Sequence, residues 1–303
     1  MKAIIFLACS LFIFPSVKEQ EIFLKSPIIS AATVSNYHPV PVRKTMKTKY
    51  FRKINKSIKN DNIKSINYNS LFQYGVAEAF IGGVFEGNYP INELLKQGSF
   101  GIGAPSLIDG ELIVVNGHAY QTQSTGETIE VPGNLKTSLA FVTFFKPDTV
   151  LHISGMVGEK QAFLQIEKYL KKKNAAYAIK ISGNFNEMKT RAFPKNTVKP
   201  YPPLATLLDQ QKFFDISNTS GSLVGFKLPS YLNVLSIDGF HFHFLSDDKS
   251  KGGHLITFKG MDLQVEIAEM KSFRLEIPQD SSFMNYDFKR RQNIDLEKVE
   301  KGH

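Results

Sequence analysis

Cysteine is almost missing from this 303-residue chain, with Cys9 the only one. A disulfide framework is therefore excluded, as is a metal site built from several thiolates. Cys9 lies inside an apolar N-terminal run, so a processed chain would hold no cysteine nucleophile either. Tryptophan is absent, and aromatic packing falls to 25 phenylalanines and 11 tyrosines. A net charge is lacking where it would matter most. Residues 1–70 carry twelve Lys/Arg against three Asp/Glu, a surplus of nine that equals the whole-chain charge of +9. Residues 71–303 are left with 25 basic and 25 acidic side chains, so the high basicity says nothing about what the body binds.

Met1-Lys2 and the apolar run from Ala3 to Phe14 fit a secretory signal better than a membrane span, because the run is too short to cross a bilayer. We read residues 1–17 as a signal peptide, which implies a secreted or periplasmic protein, the alternative being a cytoplasmic one. A lipid anchor at Cys9 is disfavoured because Phe6-Leu7-Ala8 is a poor lipobox. Residues 18–70 are rich in Lys, Asn, Ser and Ile without a sustained period, and read as a basic linker of low order. Within its Lys/Arg run, residues 43–64, only Tyr50 and Phe51 could stack on bases, so a solvated tail with no nucleic-acid partner is expected.

From Leu71 the pattern becomes globular. Val76, Phe80 and Val84 have helical spacing within Leu71 to Phe85, and Ile91 to Leu95 suggests a second short helix. Gly98-Ser99-Phe100-Gly101-Ile102-Gly103 reads as a tight glycine turn; no helix follows it, so it is not a dinucleotide fingerprint. Strands are predicted at Glu111–Asn116, His118–Gln121 and Leu139–Phe145, with an amphipathic helix over Gln161–Lys173. Beyond Tyr177 the chain is mostly strand: 178–182, 187–193, 221–227, 235–245, 255–259 and 263–269. The fold class expected is α+β, with a mixed α/β domain at 71–175 and a β-rich domain at 176–303.

The feature most suggestive of chemistry is Gly239-Phe240-His241-Phe242-His243-Phe244, followed by Gly252-Gly253-His254. Strand alternation sends His241 and His243 to one face and the three phenylalanines to the other. The polar stretch Leu245 to Gly253 suits a hairpin or short loop that returns His254 beside the pair. Three imidazoles on a rigid sheet form a facial ligand set with positions left for water or substrate. Three unrelated histidines on a polar strand face are the alternative. Glu111, heading an apolar strand, and Arg191 are the candidate charged partners. A carboxylate beside a cation can serve as acid or base, and a guanidinium can hold a carboxylate bidentately. An exposed strand-start glutamate and a salt-bridged arginine are the ordinary readings of both. His38, His118, His152 and His303 fall in the tail, a turn, a strand and the terminus, where no ligand set forms.

Together these segments resemble the alpha-acetolactate decarboxylase family, from about Leu71 to the C-terminus. The matching stretches include Leu71-Phe72-Gln73-Tyr74, Phe85-Glu86-Gly87, Asp109-Gly110-Glu111-Leu112-Ile113-Val114, Ala119-Tyr120-Gln121 and Lys189-Thr190-Arg191. They continue through Pro200-Tyr201-Pro202-Pro203-Leu204, Leu223-Val224-Gly225-Phe226 and the two histidine segments. The resemblance implies zinc on His241, His243 and His254, Glu111 as one active-site carboxylate, and Arg191 binding the substrate carboxylate. It places a second carboxylate near the chain end, at Glu300 or its neighbour Glu297. It also implies a tandem α/β and β-barrel-like architecture with the metal between the domains, in a homodimer. Ser99 and Ala104 depart from the family's usual Asp and Thr, which bears on rate more than on reaction type.

The activity so implied is decarboxylation of 2-acetolactate to acetoin and CO2, with zinc as the Lewis acid that stabilises an enediolate and no organic cofactor. Two other readings of the three histidines stay open at this stage: a cupin-like metal-dependent oxygenase or isomerase, and a secreted module that uses zinc structurally.

Overall fold

The computed structural model describes residues 66–288. The expected signal segment, Cys9, most of the basic linker, and the tail residues Glu297 and Glu300 lie outside the described residues. Two sheets dominate, and the described chain is mostly β.

The first sheet has the order β13-β1-β7-β3-β4-β5-β6. Its strands are β1 (Ser70–Tyr74), β3 (Phe100–Pro105), β4 (Glu111–Val115), β5 (His118–Thr122), β6 (Thr128–Glu130), β7 (Lys136–Thr143) and β13 (Ser272–Glu276), with the short β2 (Tyr89–Pro90) added beside β7. Both faces are covered, so the central strands read as continuous apolar runs rather than alternating ones. Ile102, Ile113 and Phe141 face the core shared with the second sheet. Leu112, Val114 and Val142 face the opposite layer with Ile91 and Leu94.

The second sheet runs β11-β10-β9-β12-β8, formed by β8 (Thr149–Gly158), β9 (Tyr177–Ala192), β10 (Lys212–Leu228), β11 (Gly239–Ser246) and β12 (Gly252–Glu269). A further pairing of β11 with β12, at His243–His254, Phe244–Gly253 and Leu245–Gly252, closes four of these strands into a ring. Its interior is filled by Ile179, Ile181, Leu223, Phe242, Phe244 and Val265. Phe185 meets Phe244 and Phe258 edge-on, at centroid distances of 5.5 and 5.6 Å. The outer face carries Ala178, Val224 and Phe226 onto the first sheet. Strand period thus decides which side chains fill the ring and which are left for the layer between the sheets.

The helices are short: α1 (Ala77–Ile81), α2 (Ile91–Leu94), α3 (Glu159–Glu167) and α4 (Ser281–Met284). The helix expected over 71–85 is therefore a strand followed by one helical turn. Gly75, at φ +83°, separates them, and β1 is claimed by partners on both sides, β13 and β7. Tertiary pairing here outweighs a local helical spacing. The expected glycine turn at 98–103 is largely strand β3. A Cβ on Gly103 would sit 2.5 Å from the Leu139 carbonyl oxygen, so glycine there serves close approach to β7 rather than a bend. α3 ends at Glu167, before the three lysines, and Lys172 bonds Glu269 at 2.8 Å instead. The strands expected at 178–182 and 187–193 are one strand, as are those at 255–259 and 263–269, the latter with an irregularity between Met261 and Leu263.

Strand membership does not follow chain order around position 175. β8 precedes that point yet belongs to the second sheet, and β13 follows it yet pairs in parallel with β1. Tyr68 bridges Phe144, and Asn69 exchanges two bonds with the Lys146 backbone, so the folded body begins slightly before Leu71. Among the described residues no helix is long and apolar enough to cross a membrane.

Candidate active site

The alternation read from the sequence holds in β11. Phe242 and Phe244 enter the ring, while His241 and His243 leave it on the face that carries Phe226 and Val224, their cross-strand partners on β10. β12 returns after a five-residue turn and sets His254 opposite His243. One nitrogen from each of the three imidazoles lies within 4.8 Å of the others. His241 Nε2 and His254 Nδ1 are 3.3 Å apart. Gly253 makes this return possible: its φ is +121°, and a Cβ there would meet the Arg191 carbonyl oxygen at 2.8 Å.

The electrostatics keep His241 and His243 neutral. Burial, reinforced by the charge of Arg191, pushes His241 down to about 3. Burial also holds His243 well below the ordinary imidazole range, with His241 adding to the effect. A neutral imidazole retains a ring lone pair, which is what a metal needs. His243 Nδ1–H donates to the Leu112 carbonyl oxygen at 2.8 Å, which leaves Nε2 facing the other two rings. A ring held through its far nitrogen by a backbone carbonyl is the usual support for a metal-bound histidine. The donor set therefore fits a divalent cation that favours nitrogen.

The first sheet supplies the charge partner. Glu111 Oε1 accepts from Arg191 Nη1 at 2.6 Å, and Glu111 Oε2 lies 3.4 Å from His243 Nε2. Both members of the ion pair are nearly enclosed, with side-chain exposures of 4% for Arg191 and 9% for Glu111. Glu111 is therefore not the exposed strand-start glutamate of the ordinary reading, whereas Arg191 is salt-bridged as that reading had it, though inside the protein. Arg191 lies opposite His254 across the β9–β12 ladder, and its guanidinium stacks on Phe193 at 5.0 Å. The turn before Glu111 is strained: Leu107 and Ile108 both have positive φ, at 65° and 49°, which a β-branched residue rarely adopts. Bonds from Leu107 N to the Phe85 oxygen and from Gly110 N to the Phe193 oxygen, 2.7 and 3.0 Å, hold it in place.

A cavity of about 40 Å³ opens where these groups converge. Besides the polar residues it is walled by Phe80, Phe141, Leu204 and Ile237 among others, from segments far apart in the chain. Ala104 also lines it, so this departure from the expected pattern is at the site, whereas Ser99 is outside the lining.

The family model for alpha-acetolactate decarboxylase matches residues 71–290. This chain belongs to the alpha-acetolactate decarboxylase family. An alpha-acetolactate decarboxylase of Brevibacillus brevis is 34% identical over 219 residues, 72% of this chain and 76% of that protein. One from Methanosarcina mazei is 34% identical over 258 residues, covering 80% of this chain and 88% of its own. The crystal structure of alpha-acetolactate decarboxylase from Bacillus subtilis strain 168 is similar with a TM-score of 0.74 and 29% identity, over 77% of this chain and all of that one.

Within this decarboxylase-family fold, five of the six expected site residues come together: His241, His243, His254, Glu111 and Arg191. Glu300 lies outside the described residues. His118 is not in a turn but begins β5, exposed and 2.7 Å from Glu130, and His152 is on a strand as expected, exposed on β8. Sequence reasoning missed the Leu112 carbonyl and the apolar walls. A backbone acceptor carries no residue-type signal, and walls drawn from distant segments share no local spacing.

Proposed function

We propose that this chain decarboxylates 2-acetolactate to acetoin and CO2, with zinc held by His241, His243 and His254. What supports the reading is the convergence of three imidazoles on a buried Glu111–Arg191 pair, in a chain of the alpha-acetolactate decarboxylase family. Zinc bound there would supply the Lewis acidity that accepts electron density as the bond between the carboxylate carbon and its neighbour breaks.

The residues of the chain do the rest. Arg191 offers a planar fork to the substrate carboxylate and orients it for departure as CO2. Its stacking on Phe193 and its place in β9 fix the direction of that fork. The apolar walls exclude water, so the enediolate left by CO2 loss takes its proton from a positioned group rather than from solvent. Glu111 is that group or its partner: one oxygen faces Arg191 and the other faces His243. Glu300 would provide the second carboxylate, and the reading extends to a homodimeric enzyme of two domains, secreted or periplasmic, with residues 1–17 as its signal segment.

The test is acetoin formation from racemic 2-acetolactate by the purified protein, before and after chelator dialysis, with His243→Ala alongside. We expect the chelator to abolish acetoin formation, zinc to restore it, and His243→Ala to be folded, metal-poor and inactive. Full turnover by protein shown to be metal-free would sink the zinc reading. No acetoin from zinc-loaded protein would sink the decarboxylase reading.

A further inference from the structure

His254 is held differently from its two partners. His241 and His243 sit within a regular stretch of β11 that is paired with β10 at every position from Gly239 to Ser246. His254 lies between two irregularities. Gly253, just before it, has a left-handed backbone, and just after it the β9–β12 register slips between Leu255 and Thr257. Such a slip adds a residue to one strand and loosens the ladder that would otherwise fix the side chain. On the β9 side the pairs His254–Arg191 and Leu255–Thr190 are the only ones before the slip, so a side-chain bond there adds to a short ladder.

Thr190 is the residue in position to make that bond. It is fully buried, and its hydroxyl donates to the Gly252 carbonyl oxygen at 2.8 Å, across from β9 to the beginning of β12. It stands next to Arg191, which is the cross-strand partner of His254. A Cβ on Gly253 would come within 3.1 Å of the Thr190 hydroxyl oxygen, so the glycine and the threonine are packed together. We infer that Thr190 is a positioning residue: its hydroxyl pins Gly252 so that the His254 imidazole meets those of His241 and His243. The inference rests on the reading of those histidines as a metal site. Thr190 touches neither substrate nor metal and acts only through the backbone that carries His254.

Loss of this kind of support costs about 10- to 100-fold in metal affinity. The experiment compares wild type, Thr190→Val and Thr190→Ser by zinc titration of the metal-free protein against a chromophoric chelator. The absorption spectrum of each cobalt-substituted form is recorded as well. Valine keeps the shape and removes the donor, and serine keeps the donor. We expect Val to weaken zinc binding by that factor and to shift the cobalt bands, and Ser to remain within about threefold of wild type, a margin inside the tenfold lower bound. Should Val fail to fold, Thr190→Ala repeats the deletion with less bulk. Wild-type affinity and spectrum in the Val or Ala variant would overturn the role of Thr190 while leaving the metal site standing. Equal losses in Val and Ser would also overturn it, because the hydroxyl would not be the cause. A wild-type protein that binds no zinc would instead remove the metal reading on which the inference rests.

Discussion

Two hollows in this protein differ in every respect that bears on function. A groove of about 590 Å³ lies among the start of α3 and β9, β10 and β12, lined in part by Glu159, Lys160, Glu187, Lys189, Asp215 and Lys259. The cavity at the three histidines is about 40 Å³. Each holds an ion pair of similar length, Lys259–Glu187 at 2.8 Å and Arg191–Glu111 at 2.6 Å. The groove pair is more than half exposed on both sides, and the cavity pair less than a tenth. Water screens the first almost completely, while the second interacts at low dielectric and must be matched or its loss is severe. Size therefore does not mark the chemistry. Convergence of buried polar groups does.

The comparison can be broken by substitution on either side. Glu111→Gln should cost most: about 10²- to 10⁴-fold in kcat if the carboxylate handles a proton. It should also cost about 3–5 kcal/mol of stability, because Arg191 is left buried without its charge partner. Assays well below the melting range, paired with denaturant melts, separate the two effects. A rate that fell only in proportion to the unfolded fraction would reduce Glu111 to a structural ion-pair partner. Arg191→Lys keeps the charge and removes the fork, and should lower kcat/KM about 100-fold with zinc content unchanged. An unchanged kcat/KM would end its role as carboxylate clamp. At the other extreme, Lys259→Ala should leave turnover at the wild-type level and shift stability by no more than about 0.5 kcal/mol. A large loss of activity there would mean that the groove matters to catalysis, and the contrast between the two hollows would fail.

Legibility followed the range of the interactions concerned. β11 was readable because alternation is local: once Phe240, Phe242 and Phe244 demand one face, His241 and His243 have no choice but the other. The apolar runs of β4 and β7 were readable for the same reason. The segment 71–85 was misread because Val76, Phe80 and Val84 satisfy a helical period, yet Leu71 to Tyr74 finds its strand partners far along the chain, at Ala140–Val142 and Phe273–Glu276. The glycines of 98–103 look like a turn until β7 lies against them.

What the amino-acid order determined alone was which side chains share a strand face, how His254 could return beside His243, and the neutrality of the body apart from its basic tail. Glu111 and Arg191 were candidates from residue type, and the family resemblance, carried by many short segments in order, gave them their expected roles. Only the tertiary structure decided that these two meet. They lie 80 residues apart in different sheets, and nothing local to either one specifies the other. The same holds for the Leu112 carbonyl behind His243 and for the walls that bury all three rings. Desolvation, which keeps His241 and His243 neutral and gives the ion pair its strength, is a property of packing and has no local counterpart in the chain.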